Sequence, residues 1–215
     1  MKETGYKQIA YEHIKRMIVS GELLPGAVLN EKELTVALGF SRTPIREAIQ
    51  RLAQEGLLEV LPSRGTIVSH ISVSDIGRLY EARKLIEPYV VKLAAVYVSR
   101  ERLLEFQEVF ESQKEPFGAE HDWDSEFHLY LAECSGNRFL EKTLQELMTQ
   151  SQRIRMLSNE KKVQRLWESR KEHLEIIDAL LCQDEDRAEK AVLNHLQQSE
   201  EGYKDIYSNQ IYFSL

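Results

Sequence analysis

Cysteine is scarce in this chain of 215 residues: Cys134 and Cys182 are its only two, far apart and matching no metal or redox spacing. A disulfide framework is excluded, and the pair fits a reduced, cytoplasmic protein. Long apolar runs are missing as well. No stretch approaches the roughly 18 residues of a membrane helix, and the opening MKETGYKQIA has no signal-like apolar segment, so neither secretion nor membrane spanning is expected. Net positive charge is also lacking, with 28 Lys+Arg against 35 Asp+Glu and a formal charge of −7. The deficit is uneven, however. Residues 1–70 carry nine basic and eight acidic side chains, and residues 71–215 carry nineteen and twenty-seven. The acidity therefore belongs to the second part, where it would limit non-specific DNA binding, which is mainly electrostatic. The length suits two modest domains.

What is present begins with helical periodicity. Tyr6, Ile9, Ala10, Ile14, Met17 and Ile18 predict an amphipathic helix over about 6–20. Gly21 ends it, and Pro25 with Gly26 forces a turn. Asn30 and Glu33 read as an N-cap with a capping-box partner, opening a short helix over 31–38 with Leu34, Ala37 and Leu38 inward. Gly39 stops it. Ser41 then caps a third helix, and Pro44 lies in its first turn, where a missing N–H costs nothing. That helix, SRTPIREAIQR and onward to Glu55, puts Ile45, Ala48, Ile49 and Leu52 on one face and Arg42 and Arg46 on another. Two helices joined by so short a link form a helix-turn-helix. The run 57–61, the turn Pro62, Ser63, Arg64, Gly65 and the β-branched run 66–68 predict a hairpin after it, a wing with Arg64 near the tip.

Each side chain has a chemical reason to face DNA. Arginine can bind guanine O6 and N7 in bidentate fashion, which makes Arg42 and Arg46 base readers. Ser41 and Thr43 can donate hydroxyls to phosphate beside a helix N-terminus that itself favours anions. Arg64 suits a narrow minor groove. Arg51 lies further along and has two open roles, a phosphate contact or an ion pair with Glu47 or Glu55. The segment GELLPGAVLNEKELTVALGFSRTPIREAIQRLAQEGLLEVLPSRGTIV resembles the DNA-binding domain of GntR-family bacterial transcription regulators, and the likeness covers almost all of residues 6–70. It implies DNA contacts from Ser41, Arg42, Thr43, Pro44 and Arg46, and from Lys32, Arg64 and Gly65.

Residues 69–74 form the boundary, and beyond it no strand pattern appears. Helices are expected over about 75–98, 100–114, 120–134, 138–158, 161–182 and 185–207. The overall class is thus mainly α: a winged helix-turn-helix over 1–70 and an all-α six-helix bundle over 71–215. Pro88 should kink the first of these helices. Gly118, the Ser135, Gly136, Asn137 run and Gln183 with Asp184 supply breaks. The apolar tail 211–215 is left with two readings, frayed or packed on a partner subunit.

Six histidines are present. Asp124 and His128 are spaced i, i+4, so they project from one helical face. His173 and His195 each sit mid-helix beside apolar positions, about equally far from the turn at Gln183, so antiparallel helices would bring them level. Periodicity leaves two readings open: satisfied core histidines, or a metal site. The segments WDSEFHLYLAECSGN and EHLEIIDALLCQDEDRAEKAVLNHL resemble the FCD effector domain of the FadR subfamily, and the short bundle resembles its VanR-like branch. That likeness implies a divalent metal on Asp124, His128, His173 and His195. His13, His70 and His121 match no ligand position. One carboxylate with three imidazoles suits Zn²⁺ or Ni²⁺ and also admits Mn²⁺ or Fe²⁺. Arg83 has two open roles, a clamp on an anionic effector or an i, i+4 ion pair with Glu87.

The expectation is a homodimeric, ligand-responsive regulator that binds a pseudo-palindromic operator in double-stranded DNA. The resemblance implies a repressor that senses a small organic acid. Two alternatives stand beside it: a regulator for which the metal is itself the signal, and a metalloenzyme in which Asp/His₃ activates water. No separate general base or nucleophile accompanies the four ligands, and an enzyme has no evident need of the first 70 residues.

Overall fold

The structure, a computed structural model, describes residues 2–62, 65–112, 121–157 and 162–211. It divides into two compact units, Met1–Ile71 and Ser72–Leu215. Arg64, Gly118 and the tail from Tyr212 to Leu215, all singled out above, lie outside the described residues.

The first unit runs α1 (Lys2–Val19), β1 (Val28–Leu29), α2 (Glu31–Leu38), α3 (Arg42–Gln54), β2 (Leu58–Leu61) and β3 (Gly65–Val68). Its helix ends follow from local chemistry. The Asn30 side chain accepts from the Lys32 and Glu33 backbone N–H groups, which are two of the orphan donors of α2. Glu33 completes the motif differently from a regular capping box, because the Asn30 side-chain amide donates to its carboxylate at 2.8 Å. Gly39 ends α2 at φ 68°, a left-handed conformation that glycine adopts without steric cost. Pro44 sits in the first turn of α3.

Ile14 and Ile18 of α1, Leu34 of α2, and Ile45, Ala48, Ile49 and Leu52 of α3 form one core with Leu57, Leu58 and Val68. Ala37, expected inward, is exposed. An eight-residue helix presents only a narrow inward stripe, and Leu34 with the half-buried Leu38 fills it. β2 and β3 pair antiparallel from Leu58↔Val68 to Leu61↔Gly65, as the predicted hairpin. A third strand was not expected. β1 pairs with the other edge of β3, Val28↔Ile67, and the sheet order is β1-β3-β2. Two residues carry no readable period. Long-range bonds place them, Gly26 N–H to the Val68 carbonyl and Val68 N–H to the Ala27 carbonyl, at 2.8 and 2.9 Å.

The second unit is a bundle of α4 (Val73–Ala94), α5 (Arg100–Glu111), α6 (Trp123–Cys134), α7 (Arg138–Leu157), α8 (Lys162–Leu181) and α9 (Glu185–Ile211). α9 packs on α4 and α8, α6 packs on α7 and α4, and α5 packs on α8. Gly136 at φ 66° turns the chain between α6 and α7, and Gln183 at φ 57° does so between α8 and α9. α4 continues through the buried Pro88. The sequence has Ile76, Leu79, Tyr80, Leu85, Ile86 and Val90 at helical intervals over 75–98, yet Leu85 faces out at 76% exposure. No helix among the described residues is long and apolar enough to cross a membrane.

α4 begins with a full capping box: the Ser72 hydroxyl accepts from Asp75 N–H, and the Asp75 carboxylate accepts from Ser72 N–H. The Ser72 hydroxyl first, and its N–H second, hold the Asp75 carboxyl below its ordinary value of 3.8. Because that value is lowered on folding, the stabilisation is complete above the unfolded value and disappears as pH falls through the folded one. Ser72→Ala is expected to destabilise the second unit by about 1 kcal/mol at neutral pH. The gap between variant and wild type should shrink in urea melts as pH is lowered past 3.8.

Candidate metal centre and nucleic-acid interface

On α3 the exposed residues come in pairs one turn apart, Arg42 with Thr43, Arg46 with Glu47 and Gln50 with Arg51. Ser41, Arg42, Thr43 and Arg46 are exposed at its N-terminal end, as is Lys32 on α2. Ser41 occupies the N-cap position, but its hydroxyl makes no capping bond. Pro44 is buried, off that face; its fixed φ shapes the first turn that presents its neighbours. Gly65 is exposed at the start of β3, at φ 79°. Arg51 is committed within the unit. Its guanidinium lies 3.7 Å from the centre of the Tyr11 ring, and it donates to Glu55 and Gln8. Of its two open roles, the ion pair with Glu55 is the one seen.

In the bundle, Asp124 and His128 of α6, His173 of α8 and His195 of α9 meet in the interior, all buried, with one candidate ligand atom from each within 4.8 Å of the others. The i, i+4 spacing puts the first two on one face of α6. The tight turn after α8 brings His173 and His195 level, with ring centres 4.4 Å apart. His173 Nε2 lies 3.3 Å from His128 Nε2 and 3.6 Å from Asp124 Oδ2.

The outer side of each candidate ligand is also built. His128 Nδ1 lies 2.5 Å from Glu87 Oε2, His195 Nδ1 lies 2.8 Å from Glu172 Oε2, and His173 Nδ1 lies 3.4 Å from Ser169 Oγ. A carboxylate at Nδ1 draws the ring proton to that nitrogen and leaves Nε2 as a lone pair. Asp124 Oδ1 contacts Arg155 Nη1 at 2.6 Å, so its other oxygen faces the histidines. Arg155 also donates to Asp122 and Ser125. Arg165 pairs with Glu172 and donates to Ser199. Phe110 of α5 stacks flat on His173, centres 4.6 Å apart at 5°. Every helix of the bundle therefore reaches this centre.

Electrostatics follow from this packing. Burial first, and the neighbouring His195 second, push the His173 imidazole well below its ordinary value of 6.5. Burial likewise lowers His195, against the opposing pull of Glu172. Both rings are neutral at neutral pH, the form a metal requires. Burial works against ionisation of Asp124, but Arg155 and then the three histidines outweigh it and hold the carboxyl well below the usual range. Burial opposes Glu87 too, yet Arg83 and His128 hold it at about 2. The result is an anionic oxygen and imidazole lone pairs converging in a dry interior. This donor set fits a borderline divalent cation, and its outer partners fit the way metal-bound histidines are oriented.

Arg83 is fully buried. Nε donates to Glu87 at 2.5 Å and Nη1 to Ser151 at 3.1 Å, while Nη2 has no hydrogen-bond partner. The ion pair of the sequence reading is present, and one donor remains unused. His121 is exposed and pairs with Glu126, away from the four ligands. Glu87, Ser151, Arg155, Arg165, Ser169 and Glu172 were not singled out as parts of the site. The adjacency of Glu172 to His173 was visible in the sequence, but its partner is His195 on α9, 23 residues along the chain, a contact that spacing alone cannot supply.

Glu87→Ala would leave Arg83 buried without its counter-ion, which is expected to cost about 3–5 kcal/mol. The double variant Arg83→Met, Glu87→Leu should recover most of that loss, as read by urea denaturation of all three proteins.

Comparison with known proteins places both units. Residues 6–68 match the family of bacterial regulatory proteins, gntR family, and residues 78–198 match the FCD domain. The HTH-type transcriptional repressor RspR of Escherichia coli (strain K12) is 29% identical over 213 residues, 96% of this chain and 93% of that protein. The crystal structure of a GntR regulator from Rhodococcus sp. RHA1 superposes with a TM-score of 0.83 at 22% identity, covering 95% of this chain and 99% of that one. A Zn²⁺-bound FCD domain, that of TM0439, superposes with a TM-score of 0.53 at 23% identity, covering 65% of this chain and 99% of that one. These families and relatives are transcriptional regulators, which removes the metalloenzyme alternative. The chain belongs to the gntR family of bacterial regulatory proteins and is a transcriptional regulator with a winged helix-turn-helix followed by an FCD domain.

Proposed function

We propose that this regulator is a homodimeric repressor whose operator affinity is set by a small organic acid bound at a divalent metal in the helical bundle. The observation that carries the reading is the convergence of Asp124, His128, His173 and His195, with outer partners that leave their inward atoms free to bind. The zinc held by the FCD domain of TM0439 supports the choice of Zn²⁺, with Ni²⁺, Mn²⁺ or Fe²⁺ as the other candidates. A metal held five- or six-coordinate by these four protein ligands keeps positions for an effector carboxylate. The unused Nη2 of the buried Arg83 is suited to a second bond with such an anion. The metal, when bound, supplies Lewis acidity to hold the carboxylate. The residues around it fix its ligands and exclude water.

Ser41, Arg42, Thr43, Arg46 and Lys32 form the exposed DNA-facing set on α2 and α3, with Arg64 and Gly65 from the wing and Pro44 as the buried frame. A dimer would place two such helices on the half-sites of a pseudo-palindromic operator. Binding of the acid favours one dimer geometry over another by its differential affinity for the two, and so shifts occupancy of the operator.

The test is a thermal-shift screen of small organic acids on zinc-loaded protein with a chelated control. An acid that raises the melting temperature of the loaded protein alone, and releases an operator duplex, is the expected result. If zinc changes operator affinity while no acid does, the metal is the signal. His173→Ala should lose stoichiometric metal by elemental analysis while the winged helix stays folded. Arg46→Ala should weaken operator binding by about 1–3 kcal/mol and relax the preference at one base pair. Specific binding should fall steeply with added salt, because several phosphates are neutralised.

A further inference from the structure

Arg42 and Arg46 share the outer face of α3 but are held differently. Arg42 makes no ion pair among the described residues. Arg46 reaches across to α2, where its Nε donates to Glu31 Oε2 at 3.0 Å. That bond uses the inner N–H of the guanidinium and leaves both terminal nitrogens, with their four N–H donors, available for another partner. Guanine presents O6 and N7 to such an edge.

Glu31 is free for this task. The cap of α2 is Asn30, whose side chain takes the N–H groups of Lys32 and Glu33. Glu33 is itself tied to Asn30. Of the two acidic residues in the first turn, Glu31 is therefore the one whose carboxylate capping does not use. The pair is well exposed, at 60% for Arg46 and 33% for Glu31, and an ion pair of that kind contributes little to folding. A carboxylate beside a DNA-facing surface would also repel phosphate from every sequence alike. Its position is a disadvantage for binding as such and useful only for discrimination.

We propose that Glu31 is a positioning residue for base readout, pre-setting the Arg46 guanidinium so that its terminal edge faces the floor of the major groove. The proposal rests on the reading of α3 as the recognition helix. Ordering a long side chain beforehand removes part of the entropy lost on binding. An arginine held by its Nε is also kept from swinging to the nearest phosphate, where it would carry no sequence information.

The test uses the full-length protein and a duplex selected from a random pool by the wild type. Single-base-pair variants of that duplex and an unrelated duplex complete the set. Glu31→Ala and Glu31→Gln both remove the negative charge, so both should bind the unrelated duplex more tightly. Glutamine keeps a carbonyl that can accept the Nε–H bond, and alanine does not. Glu31→Ala is expected to lose roughly two- to tenfold of the preference at the base pair to which Arg46→Ala becomes indifferent, the range expected from disordering one long side chain. Glu31→Gln should keep that preference. Wild-type preference in Glu31→Ala, or equal loss in both Glu31 variants, overturns the positioning role while leaving the recognition helix in place. An Arg46→Ala protein that keeps every base preference removes Arg46 as a reader and takes the proposal with it.

Discussion

The bundle is organised by the need to bury charge without leaving any of it alone. An ionised group moved from water to a protein interior costs several kcal/mol unless partners surround it, on the order of the stability of a whole domain. Here the charges are buried in alternating series. Arg83 faces Glu87, and Glu87 faces His128. Asp124 faces Arg155, and Arg155 faces Asp122. His195 faces Glu172, and Glu172 faces Arg165. Each series ends at one of the four convergent candidate ligands. Because the members come from all the helices of the bundle except α5, which contributes the Phe110 ring, the helices cannot slide or rotate independently without breaking a buried pair. Apolar packing by Phe106, Phe127, Leu144, Ile176 and Val192 supplies the bulk of the burial, but it tolerates rearrangement in a way that the polar series does not.

The winged helix is built on the opposite plan. Its core is apolar, and among its described residues no charged side chain is buried. The helix-turn-helix spends its capping chemistry on α2, through Asn30, and leaves the Ser41 hydroxyl unused at the start of α3. Arg51, further along α3, is absorbed by Tyr11, Gln8 and Glu55. The exposed positive charge is thus concentrated in the first turns, where a helix end already favours anions. The division of labour matches the charge distribution of the chain. A near-neutral first unit with a few exposed cations at the start of α3 precedes an acidic second unit.

Local signals made much of the fold legible. Capping residues, glycines and apolar periods marked α2, α3 and the six helices of the bundle to within a few residues, because these features act over one or two turns of chain. Features set by distant partners were not legible. β1 has only two residues and exists because β3 offers it an edge. Ala37 and Leu85 fit an apolar period yet face outward, because periodicity says which residues share a face and not how wide the buried part of that face is. The same limit applies to the site. Asp124 and His128 are a local pair and can be read as one. Glu87, Arg155 and Glu172 look like ordinary surface charges in sequence, since a charged residue mid-helix is exposed far more often than not.

By itself, the sequence determined the two-part plan, the helix-turn-helix with its following hairpin, the six helices and the identity of the four ligand-type side chains. Short-range physics suffices for each of these: helix period, cap chemistry and turn stereochemistry. Only the tertiary structure decided that those four side chains share one buried point, and that Glu87 and Glu172 orient two of the histidine rings toward it while Ser169 contacts the third. It alone showed that Arg83 keeps one donor unused and that Glu31 reaches Arg46 across two helices. These are matters of orientation between elements far apart in the chain. They are settled by which arrangement leaves no buried charge unpaired, a condition that can be evaluated only once all the helices are in place.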